Sequence, residues 1–412
     1  MRTLVVTHYF PPEIGAPQAR LSELARYWAE AGDDVTVLTG MPNHPTGVVP
    51  TEYRGRLRAD ERTEGYRVLR TWLYATPNEG IAKKTLGHLS FMISSVALGA
   101  RRAGPTDVVV VSSPTFFSIF SAWALARVKR ACLIVEVRDL WPAIFVELGV
   151  LQNRAVIRLL EALELAAYRA ADAVVVVSEG FRENLVARGV AATKVVTIRN
   201  GVDVERFTPG VADADARADL GARSGDTLAL YIGAHGLSHG LLSVADAAVQ
   251  LRDDPVHIAF VGEGAAKAKL IERVAVLGLD NVTLRAGVPR DSVPRLLAAA
   301  DVCLVTLRDV ALFAVFIPSK IFEYLASSRA VVGAVRGEAA QILRAAGAVV
   351  VEPEDPGALA RALRELAGDP GRRDMMGRRG RAFVVEQFDR RSLAARYRQL
   401  LRQVVDARMA RP

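Results

Sequence analysis

Cysteine is nearly absent: 412 residues include only Cys132 and Cys303, each set in an apolar run. Two isolated thiols build neither a disulfide framework nor a zinc site, and they fit buried thiols in a reducing compartment. No run of about 18–20 apolar residues occurs, so no segment is expected to span a bilayer. No secretory signal is visible, because Met1-Arg2-Thr3 runs straight into a strand-like segment. A cytoplasmic chain is therefore expected, with peripheral contact to the inner face of the cell membrane left open. The first strand–helix turn lacks the G-x-G-x-x-G fingerprint, so no dinucleotide cofactor is indicated there. Basic residues are scattered and match no nucleic-acid motif, which argues against a nucleic-acid partner.

What is present is apolar and basic. Hydrophobic residues make up 51% of the chain, which excludes global disorder, and the length suggests two or three domains. The net charge of +8 comes almost wholly from arginine and favours anionic partners, namely phosphorylated small molecules or acidic lipid surfaces.

The chain reads as alternating short apolar strands and amphipathic helices. In the first half, strands are expected near 3–8, 34–38, 68–73, 107–111, 133–137, 173–177 and 195–198, with helices near 16–31 and 155–169. Such βα units carry parallel strands and bind ligands beyond the strands' carboxyl ends. A helix from Gly80 to Arg102 is unusually apolar, with Lys83, Lys84 and His88 early in it. It reads either as a core-facing helix or as a surface that dips into lipid headgroups. Residues 209–226, rich in Ala, Asp and Gly, read as a linker with one short helix. The acidic pair Asp213-Ala214-Asp215 does not end an apolar strand, so a solvated linker is favoured over a metal site.

The second half repeats the alternation, with strands near 227–232, 257–261, 282–284, 302–306, 330–335 and 348–351. Two helices follow, with the basic segment Gly371–Arg379 between them, and then a C-terminal helix near 391–409. The stretch from Phe316 to Gly333 is a loop, a helix start and a strand. Pro318 suits the first helical turn, Ser319 is placed to cap free N–H groups, and Lys320 lies in the first turn. Taken alone, this stretch fits an ordinary amphipathic helix and a phosphate site equally well, with Glu323 placed to meet a ribose diol.

Five segments carry a family resemblance: His8–Gly15, Val137-Arg138-Asp139, Ile198–Asp203, Phe260–Gly264 and Pro318–Glu323. In order and spacing the chain resembles the family 4 retaining glycosyltransferases. It looks most like the branch that transfers N-acetyl-fucosamine-type sugars in O-antigen and capsule synthesis. The resemblance implies an α/β chain of GT-B fold, two Rossmann-like domains facing a central cleft. Residues 1–208 would bind the acceptor, 209–226 would link, and 227–385 would hold the nucleotide sugar. A terminal helix over 386–412 would be free to cross back to the first domain.

The resemblance further implies a nucleotide diphospho-sugar donor, UDP-linked, used as substrate without a metal or other cofactor. The acceptor would be a polyprenyl-diphosphate-linked sugar or a glycan. Donor contacts would come from Gly15, Gly233, His235, His239, Gly262, Gly264, Val288, Pro318, Ser319, Lys320 and Glu323. Acceptor contacts would come from His8, Glu13, His44, Lys83 and Lys84. Arg138, Asp139 and Lys320 would stand at the reacting groups, although Arg138 cannot act as a base and salt bridging is an equal role for it. The chain departs from the family at Val315, where a carboxylate often stands, and at Ala234, His235 and His239, where an Arg/Lys pair is common. These departures keep two other functions in view: a GT-B epimerase and a non-catalytic nucleotide-sugar-binding protein.

Overall fold

The computed structural model describes all residues except Pro45, Asn78, Glu79, Pro114, Ala212, Arg411 and Pro412, and gives the backbone alone for Ile81 and Ala82. The chain divides into two compact units, Met1–Arg199 with Arg391–Pro412, and Asn200–Arg390.

The first unit is built on eight strands: β1 (Arg2–Val6), β2 (Asp34–Gly40), β3 (Arg58–Thr63), β4 (Tyr66–Thr71), β5 (Val108–Ser113), β6 (Cys132–Val137), β7 (Ala173–Val176) and β8 (Val195–Thr197). Their order is β3-β4-β2-β1-β5-β6-β7-β8. Every pairing is parallel except the β3–β4 hairpin. The central strands are buried on both faces, as parallel strands covered by helices must be. The hairpin was not expected, because the β3 sequence Arg-Ala-Asp-Glu-Arg-Thr has no apolar alternation. It is an edge strand, and charge on an edge blocks unwanted pairing.

The C-terminal helix, Arg390–Met409, packs on this unit. Trp28 Nε1 donates to the Ala394 carbonyl at 3.0 Å, and the Tyr397 ring meets Trp28 edge-on. The buried Asp33 carboxylate takes Arg398 at 2.6 Å and the Met1 ammonium at 3.3 Å.

The second unit has six parallel strands: β9 (Thr227–Ile232), β10 (Val256–Val261), β11 (Val282–Arg285), β12 (Val302–Thr306), β13 (Ala330–Ala334) and β14 (Val349–Val351). Their order, β11-β10-β9-β12-β13-β14, reverses direction between β9 and β12, the switch point where open α/β sheets bind ligands.

Two expectations are corrected here. Residues 209–226 hold the short helix expected there, but they belong to the second unit and do not stand between the units as a solvated linker. Asp213 caps the helix Ala214–Asp219 through Ala216 N–H, Ala216 is fully buried, and Arg217 pairs with Asp301 at 2.8 Å. The basic segment Gly371–Arg379 does not separate two helices. It lies inside the helix Pro370–Phe388, whose only stops are the Pro370 start and the Asp389 end.

Candidate active site

In the second unit, β9 ends at Ile232 and the chain enters the loop Gly233–Gly240. Gly233 has φ of 137°, and a Cβ there would stand 3.0 Å from Lys320 Nζ. The glycine therefore leaves room for an amine. Lys320 opens the helix Lys320–Ala326 and lays its ammonium over the Tyr231 ring, 3.5 Å from the centroid. The amine is screened from solvent and makes no hydrogen bond. Burial lowers its pKa to about 7, against a smaller upward pull from Glu323.

Two histidines share this environment. The rings of His235 and His239 lie 5.8 and 6.2 Å from that of Tyr231. His235 is fully buried and neither of its ring nitrogens has a partner. Burial takes His235 down to about 4, helped by the charges of Lys267 and Lys320. Burial takes His239 down to about 3, with Lys320 adding to the effect. Both are neutral at pH 7. Orphaned buried polar atoms are uncommon in native folds and mark places where a ligand or water completes the bonding. Three basic side chains with orphaned nitrogens gather around one ring, which suits an anion.

The Gly262-Glu263-Gly264 turn sits against this loop. The His235 N–H donates to the Glu263 carbonyl at 2.8 Å, and a Cβ at Gly262 would collide with the Gly233 carbonyl. Glu263 in turn accepts from Gly287 N–H at 3.3 Å, which brings half-buried Val288 next to the same turn. Glu323 is half-buried one turn along the helix from Lys320. Thus Gly233, His235, His239, Gly262, Gly264 and Lys320 are brought together at the carboxyl ends of β9 and β10, with Val288 following Gly287 at the Glu263 turn and Glu323 one helical turn from Lys320.

Ser319 departs from expectation. It stands at the N-cap but makes no capping bond, and Pro318 precedes the cap instead of opening the helix. With seven residues the helix is also short. The positive charge here belongs to Lys320 more than to a helix dipole.

Sequence reading missed Tyr231 and Tyr324, both of which look like core residues in apolar runs. Tyr231 is the platform under Lys320. Tyr324 is fully buried, and its hydroxyl donates to the Ile232 carbonyl at 2.9 Å and accepts from Ile232 N–H at 3.1 Å.

The first unit holds a second titratable cluster at the carboxyl ends of β1 and β2. The His8 ring meets those of Tyr9, His88 and Phe91 edge-on at 4.4, 4.6 and 4.9 Å, and Tyr9 lies 5.1 Å from His44. His8 is held well below its usual value by burial, and His88 falls to about 4 by burial and the Lys84 charge. Burial and Lys84 also lower His44. Lys83 and Lys84 are exposed beside this group.

Glu13 does not offer a free carboxylate. It accepts backbone N–H bonds from Phe10, Asn43 and His44 at 2.9, 2.7 and 2.8 Å, so it ties the two loops together. The need for glycine at Gly15 is also weaker than expected. Its φ of 169° is extended backbone, and a Cβ would meet only the Gln18 side chain.

Arg138 and Asp139 follow β6 and lie beside a buried ion pair. Glu136 accepts from Arg20 at 2.8 Å and from Ser112 at 2.8 Å, and Arg20 also donates to the carbonyls of Ile198 and Arg199. Arg20 and Arg138 hold Glu136 ionised against its burial. Burial raises Asp139, with Arg138 opposing.

The profile of the glycosyl transferase 4-like domain matches residues 15–201, and that of the glycosyl transferases group 1 matches residues 226–369. The chain is therefore a glycosyltransferase with the GT-B fold, and it belongs to the family 4 type. It is 30% identical over 377 residues to the Escherichia coli (strain K12) protein described as a colanic acid biosynthesis glycosyl transferase, WcaI, covering 89% of this chain and 92% of that protein. Solved structures share the fold. A sucrose-phosphate synthase from Thermosynechococcus elongatus superposes with a TM-score of 0.78 at 22% identity, over 98% of this chain and 99% of that one. Anabaena Alr3699/HepE, solved with UDP and glucose, gives 0.73 at 16% identity over 98% and 100%. WaaG, a glycosyltransferase involved in lipopolysaccharide biosynthesis, gives 0.70 at 15% identity over 97% and 99%. Among the described residues, no helix is long and apolar enough to cross a membrane.

Proposed function

We propose that this chain is a retaining glycosyltransferase of cell-surface polysaccharide synthesis. It moves a sugar, an N-acetylated deoxyhexose or N-acetylhexosamine, from a UDP-linked donor to a polyprenyl-diphosphate-linked or glycan acceptor. The observation that carries this reading is the Lys320 ammonium, buried without an acceptor beside Gly233, His235 and His239. A donor diphosphate supplies the missing partners. As the sugar–phosphate bond breaks, charge grows on the leaving phosphate. A cation already in place stabilises that charge without reorganisation, which is often the largest catalytic contribution. Glu323 binds the ribose hydroxyls, and the Gly262–Gly264 turn with Val288 frames the base. The departing phosphate oxygen takes the acceptor proton, so the transfer uses no protein base.

The acceptor lies on the first unit, at the His8, His44, Lys83 and Lys84 cluster, with Arg138 and Asp139 at the end of β6 in the same unit. The helix Gly80–Gly99 exposes Leu86 and Ile93, and Trp72 and Tyr74 are exposed on the segment hydrogen-bonded to it through Ser90 and Ser94. Aromatic and aliphatic surface beside lysines suits a lipid interface, and it supports a lipid-linked acceptor at the cytoplasmic face of the membrane.

The test is mass spectrometry of products from a mixed nucleotide-sugar pool with a lipid extract. A glycosylated lipid is expected. Conversion of donor without acceptor identifies an epimerase, and nucleotide binding without any product identifies a non-catalytic binding protein, the reading that Val315 favours.

A further inference from the structure

The two sides of β9 end differently. Its pairing with β10 runs on to Ile232–Val261, whereas its pairing with β12 is confined to Ala229–Val302 and Leu230–Cys303. The sheet is thus open for the last residues of β9 on the side where strand order reverses. An opening there strands backbone groups, because the N–H and C=O of Ile232 point toward the missing partner. Buried backbone groups must be satisfied. Here one atom satisfies both: the Tyr324 hydroxyl donates to Ile232 O and accepts from Ile232 N.

We infer that Tyr324 is a positioning residue that holds the β9–β12 crevice open and fixes Lys320 against Gly233 for the donor diphosphate. The inference rests on the donor-site reading given above. Tyr324 and Lys320 lie one turn apart on the same short helix, and Ile232 is followed directly by Gly233. A double hydrogen bond from Tyr324 to Ile232 therefore sets the distance between the helix start and the glycine. Its neighbours Ile321, Phe322 and Leu325 are fully buried and anchor the helix by packing. They carry no directional bond to β9. Tyr324→Phe keeps the ring and its packing but leaves Ile232 N–H and C=O without partners. Either water enters the crevice or β9 and β12 close, and both displace Lys320 from Tyr231.

Two measurements on the full chain test this. UDP is titrated by calorimetry into wild type and Tyr324→Phe, and acetylation of Lys320 by acetic anhydride is followed by peptide mass spectrometry against exposed Lys269. The expected result is UDP binding about tenfold weaker in the variant, the scale of one buried hydrogen bond. Lys320 acetylation should rise several-fold relative to Lys269, a selective change that general destabilisation does not produce. Unchanged UDP affinity and unchanged Lys320 reactivity overturn the inference and leave the donor site standing. Failure of wild type to bind UDP, GDP or ADP overturns the donor-site reading, and the inference with it. If the variant does not fold, amide exchange in wild type decides. Ile232 must exchange as slowly as Tyr231, and exchange at the rate of an open loop overturns the inference.

Discussion

Lys320 Nζ stands 3.5 Å from the centre of the Tyr231 ring, buried and without a hydrogen-bond acceptor. The quadrupole of the ring compensates part of the lost hydration, but not all of it, and the amine is held near pH 7. The residue proposed to meet the donor diphosphate is thus costly to the unliganded fold.

That cost has a sign. The folded pKa of about 7 lies below the ordinary 10.5, so the penalty is full below pH 7 and fades as pH rises toward 10.5. Lys320→Met should raise the melting temperature at pH 7 while lowering turnover at least about tenfold. Calorimetric melting and an activity assay on the same preparation check both halves.

Nucleotide binding should be proton-linked for the same reason. Above pH 7 the free site increasingly holds a neutral amine, whereas a bound diphosphate favours the ammonium. UDP affinity should fall by up to about tenfold per pH unit above 7. At pH 8 binding should take up close to one proton, read by titrations in buffers of different ionisation enthalpy.

Glu323→Ala should lower turnover about tenfold or more with the fold intact, since a carboxylate hydrogen bond to a ribose diol is charge-assisted. A melting curve matching wild type, together with a raised donor KM, is the expected pattern.

The pair formed by Arg20 and Glu136 is structural and should behave differently. Both side chains are buried, at 2% and 0% exposure, and Arg20 also donates to the carbonyls of Ile198 and Arg199. Glu136→Leu should cost about 3–5 kcal/mol by leaving a buried guanidinium unpaired. Urea unfolding measures it, and Arg20→Met with Glu136→Leu should recover part of the loss.

The buried histidines predict acid sensitivity. His88, His235 and His239 are held at about 4, 4 and 3, so each stays neutral in the folded state while its unfolded counterpart protonates below 6.5. Stability is lost as pH falls from about 6.5, by up to about 1.4 kcal/mol per unit for each histidine. Melting temperatures at pH 7 and pH 5 check the direction.

The second-unit strands were legible because they are short runs of apolar residues, some bounded by glycine or proline, as at β10 between Pro255 and Gly262. Lys320 and Glu323 were legible as a basic residue and an acid one helical turn apart. Other features were hidden for physical reasons. β3 is charged at Arg58, Asp60, Glu61 and Arg62, and its turn depends on Glu64 and Gly65 at φ of 45° and 83°. Glu13 reads as a site carboxylate until three backbone N–H groups claim it. Tyr231 and Tyr324 look like core aromatics, and only the side-chain contacts and the sheet register show that one supports an ammonium and the other replaces a strand partner.

The most direct measurement is a calorimetric titration of UDP into wild type and Lys320→Ala at pH 7. Saturable binding to wild type, weakened at least about tenfold by the substitution, is the predicted result. Equal affinity in the two proteins, or no binding by wild type, would contradict the placement of the donor diphosphate at Lys320.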